Sequence, residues 1–453
     1  MMRSMYSGVA GLKTHQTKMD VIGNNIANVN TVAYKSQSVT FSELMYQTTQ
    51  SASGANATTG TAGTNAKQIG LGSKSGAIAT SITSQGASQT TNNPFDIRIT
   101  GDSFFIVSDG SNNYFTRDGS FYVDGVGNLA MTSNGYNVMG WGVDPATNDI
   151  KQDTVSALRI MSSDNTTYPP EATSKATITG IVDKNDTNIT SNSGKAVNLL
   201  FYDSLGYSYT AKFAVKSTGT DGVYTLQLTS ILDSDNKEQL TTTPAWSGAI
   251  QYDPNTGKFV GVGEAVTDAG GNTTVTYSTN PINFDINTYT GKNNFSTTGI
   301  DITFNGTTMY NNSGTSTISA ATGDDMNLGK GRKLGRMSGV SIQSDGRIYA
   351  SYDNGMSKLL GQIATAQFSN ASGLMKEGDN LYSQSQNSGD FNGIGVEVTA
   401  GGGYMTTGVL EMSNVDLSSE FTEMITTQRG FQANSRIITV SDSLLEELVN
   451  LKR

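Results

Sequence analysis

Cysteine is absent from this chain, which excludes disulfides, thiolate nucleophiles and Cys-ligated metals and leaves the fold to packing alone. Histidine occurs once, at His15, so neither a catalytic triad nor a His-rich metal site is available; inside a helical stretch it reads as a surface or interface residue. Charge is scarce and unbalanced: 15% of residues are charged and the net charge is -10, a balance that repels nucleic acid and anionic membrane surfaces. No apolar run approaches the roughly 18 residues of a membrane span. The first residues, Met1 to Gly8, lack an apolar core followed by a small-residue cleavage site, so no cleaved Sec-type leader is expected. That suits a cytoplasmic protein, and equally one exported by a route that reads an uncleaved amino terminus.

What is present is length, glycine and small polar residues. At 453 residues the chain exceeds what one core usually organises, and two or more domains are expected. A hydrophobic share of 36% with 51 glycines points to many short strands joined by turns.

The two ends differ from the middle. Met5, Leu12, Met19 and Ile26 recur every seven residues, with Val9 and Ile22 on the same side; Leu417, Met424, Phe431, Ile438 and Leu445 do the same, supported by Phe421, Leu448 and Val449. Both predict one-sided helices. Ser413-Asn414-Val415-Asp416 fits the capping pattern [ST]-x-x-[DE] and starts the second. Gln16, Gly23, Gln428, Ser435 and Asp442 interrupt the stripes, so the seam is weak and partly polar. Packing against the chain's own domain is the plain reading of such stripes. Against it stand their placement at opposite ends and their charges: residues 1–35 hold four cations and one acid, net +3, and residues 411–453 four cations and seven acids, net -3. Burying five stripe residues yields on the order of 10 kcal/mol, while ordering some 35 residues costs roughly 1–2 kcal/mol each. Such a helix needs its partner and further copies, so the ends read as assembly devices.

The residues at both ends resemble the axial proteins of the bacterial flagellum. At the N-terminus the similar segment is Ser7 to Leu12 and then Met19 to Thr31, with the core Asn24-Asn25-Ile26-Ala27-Asn28; at the C-terminus it is Glu411 to Leu417, Glu420-Phe421, Met424-Ile425 and Gln428-Arg429-Gly430-Phe431-Gln432-Ala433-Asn434. Interior segments shift the resemblance from rod toward hook proteins: Tyr202-Asp203-Ser204-Leu205-Gly206, Tyr352-Asp353-Asn354-Gly355 with Leu360 to Ala364, and Phe368 to Leu374. Ala33 and Ser103 stand where the family often has glycine, so local geometry is expected to differ there.

The resemblance implies a mixed, mainly β fold, with nested β-rich outer domains between terminal helices that pair as a coiled-coil-like core. The expected divisions are a core helix at 1–35, a linker or extended segment at 36–71, a first β domain at 72–165 and 306–410, an inserted outer β domain at 166–305, and a core helix at 411–453. Residues 47–66, almost all Gln, Ser, Thr, Gly, Ala and Asn, read as linker; by resemblance they contact neighbouring subunits. Asp109-Gly110, Asp118-Gly119, Asp124-Gly125 and Asn134-Gly135 are hairpin signals.

The function implied is non-catalytic: a subunit with no cofactor and no metal that polymerises with itself into the curved, flexible tube joining rod to filament. By the same resemblance it is exported without a cleaved signal and meets the distal rod protein, hook cap, hook–filament junction protein and export apparatus. A distal rod subunit is the near alternative; a surface adhesin or glycan-acting enzyme is the distant one. Asp233 to Glu238 begins like a calcium loop, but Lys237 and Glu238 replace a ligand and the turn glycine. Lys330, Arg332, Lys333 and Arg336 lack the phosphate-loop pattern and read as a charged loop or a contact to an acidic face of a neighbour.

Overall fold

The computed structural model describes residues 2–55, 60, 62–241, 246–267, 273–278 and 281–451. The chain forms two compact units: Met1–Ser162 with Val340–Ala350 and Lys358–Arg453, and Ser163–Gly339 with Ser351–Ser357. It is mainly β, and the two long helices, Met2–Ala27 and Leu417–Asn450, pair with each other in the first unit.

In the first unit an antiparallel path runs Ser357–Ile363, Asn137–Gly142, Phe104–Ser108, Asn113–Thr116, Leu381–Ser383, Met375–Gly378. Phe104–Ser108 is buried along its whole length, so both its faces meet apolar layers. One layer gathers Phe105, Phe121, Leu129, Met131 and Ile363, the other Phe104, Ile106, Phe115, Trp141 and Tyr382. The last strands before the C-terminal helix return to early sequence: Met405–Thr407 pairs with Ile97–Ile99, and Val409–Glu411 with Ser88–Thr90. The chain's end is thereby stitched to its beginning.

The second unit sets a six-stranded antiparallel meander (Lys195–Tyr202, Ser208–Ser217, Val223–Asp233, Ser247–Tyr252, Phe259–Thr267, Thr273–Ser278) beside a four-stranded sheet in which Lys175–Ile181 runs parallel to Ile300–Thr308. One core serves both, with Phe201, Phe213, Tyr252, Phe284 and Phe304 at its centre. The expected end of the insertion at 305 falls inside Ile300–Thr308, and the unit continues to Gly339. A single parallel pairing, which leaves no hairpin signal, carries the chain across that expected boundary.

Turn chemistry places most of the hairpins. Asp109-Gly110 joins Phe104–Ser108 to Asn113–Thr116, Asp124-Gly125 joins Phe121–Val123 to Leu129–Met131, and Asn134-Gly135 joins Leu129–Met131 to Asn137–Gly142. Asp118-Gly119 forms no hairpin. A Cβ on Gly119 would lie 1.6 Å from the Ile97 carbonyl oxygen, so this glycine permits a close backbone approach instead. The segment read as linker is partly ordered: Gln37–Glu43 pairs with Ser73–Thr80, and Tyr46–Gln50 with Lys67–Gly70, extended by a bridge between Ser53 and Thr64. Residues 56–59 and 61 of that segment lie outside the described residues.

Candidate assembly site: the helix pair and its anchor

The two long helices run antiparallel, and small and polar groups mark their seam. Ser4 Oγ lies 3.4 Å from Ser441 Oγ, Lys18 pairs with Glu423 at 3.0 Å, and Asn25 Nδ2 donates to Glu420 Oε1 at 2.9 Å. Glycine sets the approach. A Cβ on Gly11 would stand 2.6 Å from Asn434, and one on Gly430 the same distance from the His15 ring. His15 also meets Phe41 edge-on at 5.5 Å, and burial, then the nearby Lys18 charge, lowers its pKa from the usual 6.5.

The apolar stripes fill this seam only in part: an added Cβ on Gly8 would stand 3.3 Å from the Ile438 side chain, and Ile22 is buried. Met5, Leu12, Met19, Ile26, Met424, Ile438 and Leu445 are half-buried, while Leu417, Phe421 and Phe431 are exposed. Beside Phe431 a cleft of about 290 Å³ opens between the helices, lined also by His15, Met19 and Gln428. Of the 34 residues in the C-terminal helix only Thr427 and Ser441 are buried, so most of its apolar surface is unused within one chain.

The start of that helix differs from the capping pattern read in the sequence. Asp416 is the N-cap, its side chain accepting from Ser418 N at 2.9 Å. Ser413 and Asn414 are committed elsewhere: Asn414 accepts from Ser36 N at 2.8 Å and donates to the carbonyls of Ser81 and Ser84. Val415 N donates to Ser413 Oγ at 3.3 Å.

Below the helix pair sits a buried ionic cluster. Lys35 Nζ lies 2.8 Å from Glu411 Oε1, Arg117 Nη1 lies 3.9 Å from Glu411 Oε2, and all three side chains are 1% exposed. Gly86 N donates to Glu411 at 3.0 Å, Lys35 donates to Ser84 O at 2.7 Å, and the Arg117 guanidinium lies 5.0 Å from the Phe104 ring centre. Burial pushes both cations' pKa values down, and Glu411 pulls the other way in each. Glu411 opens a segment quoted above for the resemblance, yet nothing in a linear sequence marks Lys35 and Arg117 as its partners.

The remaining candidates are occupied structurally. Asp233 accepts from the backbone of Asp235 and Lys237 and from Gln239 Nε2, capping its own turn. Arg332 pairs with Glu171, and Lys333 lies 3.8 Å from Asp353, so half of the basic cluster is neutralised inside its own unit. Ala33 keeps the left-handed conformation that glycine favours, at φ 57°. The geometry expected to change with the lost glycine is therefore retained. Ser103 does not adopt positive φ; its hydroxyl accepts from Gln367 at 3.0 Å.

Three family models match this framework: Flagella basal body rod protein over residues 5–35, Flagellar hook protein FlgE/F/G D1 domain over 98–180, and Flagellar basal body rod FlgEFG protein C-terminal over 406–451. The flagellar hook protein FlgE of Borreliella burgdorferi is 35% identical, with both chains covered in full. The chain belongs to the flagellar hook protein family. The hook protein of Treponema pallidum is 33% identical, and the basal-body rod protein FlgG of Bacillus subtilis 31%, each with both chains covered in full.

Within this hook-family chain the N-terminal signature closes the first helix. Asn25, 1% exposed, donates to Gln37 O and Glu420 Oε1 and accepts from Gln37 N and Tyr34 Oη, which satisfies its whole amide. Asn24 donates to Tyr34 Oη, and Asn28 donates back to Asn24. Ala27 is the last helical residue. The C-terminal signature is less concentrated: Arg429 is exposed and donates to Gln432 at 3.4 Å, and Gln428 lines the cleft beside Phe431.

Proposed function

We propose that this chain is the structural, non-catalytic subunit of the flagellar hook, and that copies assemble through the terminal helix pair into the curved, flexible tube that joins rod to filament and transmits torque. The observation that carries this reading is the C-terminal helix, with two buried residues in 34. Leaving Phe421, Ile425, Phe431 and Val440 in water costs roughly 1.5–3 kcal/mol each relative to burial, so association of copies has a large apolar return. The higher identity to two hook proteins than to the rod protein favours the hook over the distal rod.

In this reading Met5, Leu12, Met19, Ile26, Leu417, Phe421, Met424, Phe431, Ile438 and Leu445 form the assembly surface. Residues 1–35 and 411–453 make the inner wall and the β blocks the outer layers. The exposed hairpin around Tyr46–Gln50 and Lys67–Gly70 reaches a neighbouring copy. The partners are further copies, the distal rod protein below, the cap and the junction protein above, and the export apparatus that passes the chain out.

Phe431→Asp tests the reading. An Asp in the cleft beside the seam becomes an unpaired buried charge only when copies pack, at a cost of several kcal/mol. The monomer should keep its strand signal and melting temperature, and sedimentation should show loss of polymer. Lys212→Asp, on an exposed position of the second unit, should assemble normally. Polymerisation of Phe431→Asp at the wild-type level would place the decisive contacts in the β units.

A further inference from the structure

The exposed apolar residues of the C-terminal helix do not lie on one side. At about 100° per residue, Leu417, Phe421 and Ile425 project to one flank of the seam and Val440, Leu444 and Leu448 to the other, roughly 140° apart on the same helix. Both sets are exposed, and both repeat every fourth residue, the spacing of ridges that interdigitate when helices pack. Charges of both signs edge the two ridges on the side that they share, where Arg429 and Glu447 stand five full turns apart, and Arg436 lies one turn before Val440. Arg429 stands one turn beyond Ile425, and Glu447 three residues beyond Leu444. Both are exposed, and neither forms an ion pair among the described residues.

We infer that these ridges are the two halves of one head-to-tail contact, in which Phe421, Ile425 and Arg429 of one copy meet Val440, Leu444 and Glu447 of the next. The inference rests on the assembly reading above and specifies which surfaces join. A single flank would close a symmetric dimer by meeting itself. Two different flanks on one helix leave an unfilled half on each end of every complex, so growth continues. In a polymer whose subunits all point one way the ridges run parallel. Placing Phe421 over Val440 and Ile425 over Leu444 then brings Arg429 to Glu447. A second copy is the fitting occupant because one chain supplies both ridges and both charges. Within a chain Arg429 and Glu447 cannot meet, being 18 residues or about 27 Å apart along the helix.

The test uses full-length Ile425→Asp and Leu444→Asp under conditions where the wild-type chain polymerises, read by light scattering and sedimentation. Each variant alone should remain monomeric, and an equimolar mixture should double in mass and stop, because only one intact pair of ridges remains. In a second arm Arg429→Glu alone should slow polymer growth at least tenfold, and adding Glu447→Arg in the same chain should restore it. Homodimers formed by either single variant would overturn the inference, since a ridge would then pair with itself. If both Asp variants polymerise like wild type while Phe431→Asp does not, the ridges are irrelevant although helix-driven assembly stands. If all three polymerise, the assembly reading fails as well. Failure of the charge exchange to rescue, with the mixture still doubling in mass, would overturn the register and the charge pairing within the inference.

Discussion

Glu411→Gln removes the one carboxylate that, among the described residues, pairs with Lys35 and Arg117, two cations as deeply buried as itself. The amide keeps the shape and one acceptor for Gly86 N, so the main loss is charge. Breaking a buried pair from one side costs about 3–5 kcal/mol. With a urea dependence of about 3 kcal/mol per molar for a unit of this size, the unfolding midpoint should fall by roughly 1–1.7 M. The chain's two tryptophans report on the units separately. Trp141 is buried in the first unit, donating to Ile394 O at 2.9 Å, and Trp246 packs on the core of the second. Glu411→Gln made in a Trp246→Phe background should move the Trp141 fluorescence transition, while the same change in a Trp141→Phe background should leave the Trp246 transition in place. The pH dependence has a definite sign. Lys35 is a base whose folded pKa lies below 10.5, so the unfolded chain binds more protons in the window below 10.5 and stability rises with pH there. Losing Glu411 removes an interaction that raises the Lys35 pKa, so the variant's deficit should shrink as pH climbs toward 10.5. An unchanged Trp141 midpoint, or equal shifts at both tryptophans, would refute the claim that this cluster holds the first unit together.

Two other outcomes can be measured on the monomer. His15 has a folded pKa below the usual 6.5, so its stabilising contribution is complete above that value and is lost as pH falls below it; helical circular dichroism between pH 7.5 and 5 should decline in the wild type and less in His15→Gln, and parallel curves would count against it. Ala33→Gly relieves a left-handed alanine worth about 1–2 kcal/mol and loses a buried methyl worth about 0.8 kcal/mol, so the melting temperature of the first unit should hold or rise slightly; a clear drop would show that the conformation is not strained.

The helices were legible because a seven-residue apolar repeat needs no long-range knowledge, and the observed spans Met2–Ala27 and Leu417–Asn450 follow it. Hairpins were legible where an Asx-Gly pair separates two short apolar runs, as at Asp124-Gly125. The same dipeptide at Asp118-Gly119 misled, because the reason for its glycine is the Ile97 carbonyl, 22 residues away in sequence. Tyr207, Tyr209, Phe213 and Val215 all fall on one parity of the sequence, yet Tyr207 precedes the strand Ser208–Ser217 and is exposed while the other three are buried. The stripes announced apolar helices but not that glycines at 11 and 430 would set the seam against Asn434 and His15, leaving Phe421 and Phe431 exposed. Lys35, Arg117 and Glu411 could not be matched by any local rule, since Lys35 and Glu411 stand 376 residues apart.

That separation has a kinetic meaning. A chain made at about 5–20 residues per second presents Lys35 roughly 20–75 s before Glu411 exists, and Ser88–Thr90 waits nearly as long for Val409–Glu411. The stretch Ser163–Gly339 meets almost all its partners within itself and can close early. The first unit, by contrast, is a clock that the final fifty residues stop: until they arrive, Ile97–Ile99 lacks its partner strand Met405–Thr407, Ser88–Thr90 lacks Val409–Glu411, and Lys35 and Arg117 lack their carboxylate. A nascent chain held just short of residue 405 should therefore carry one finished body and one that protease or chaperone still finds open.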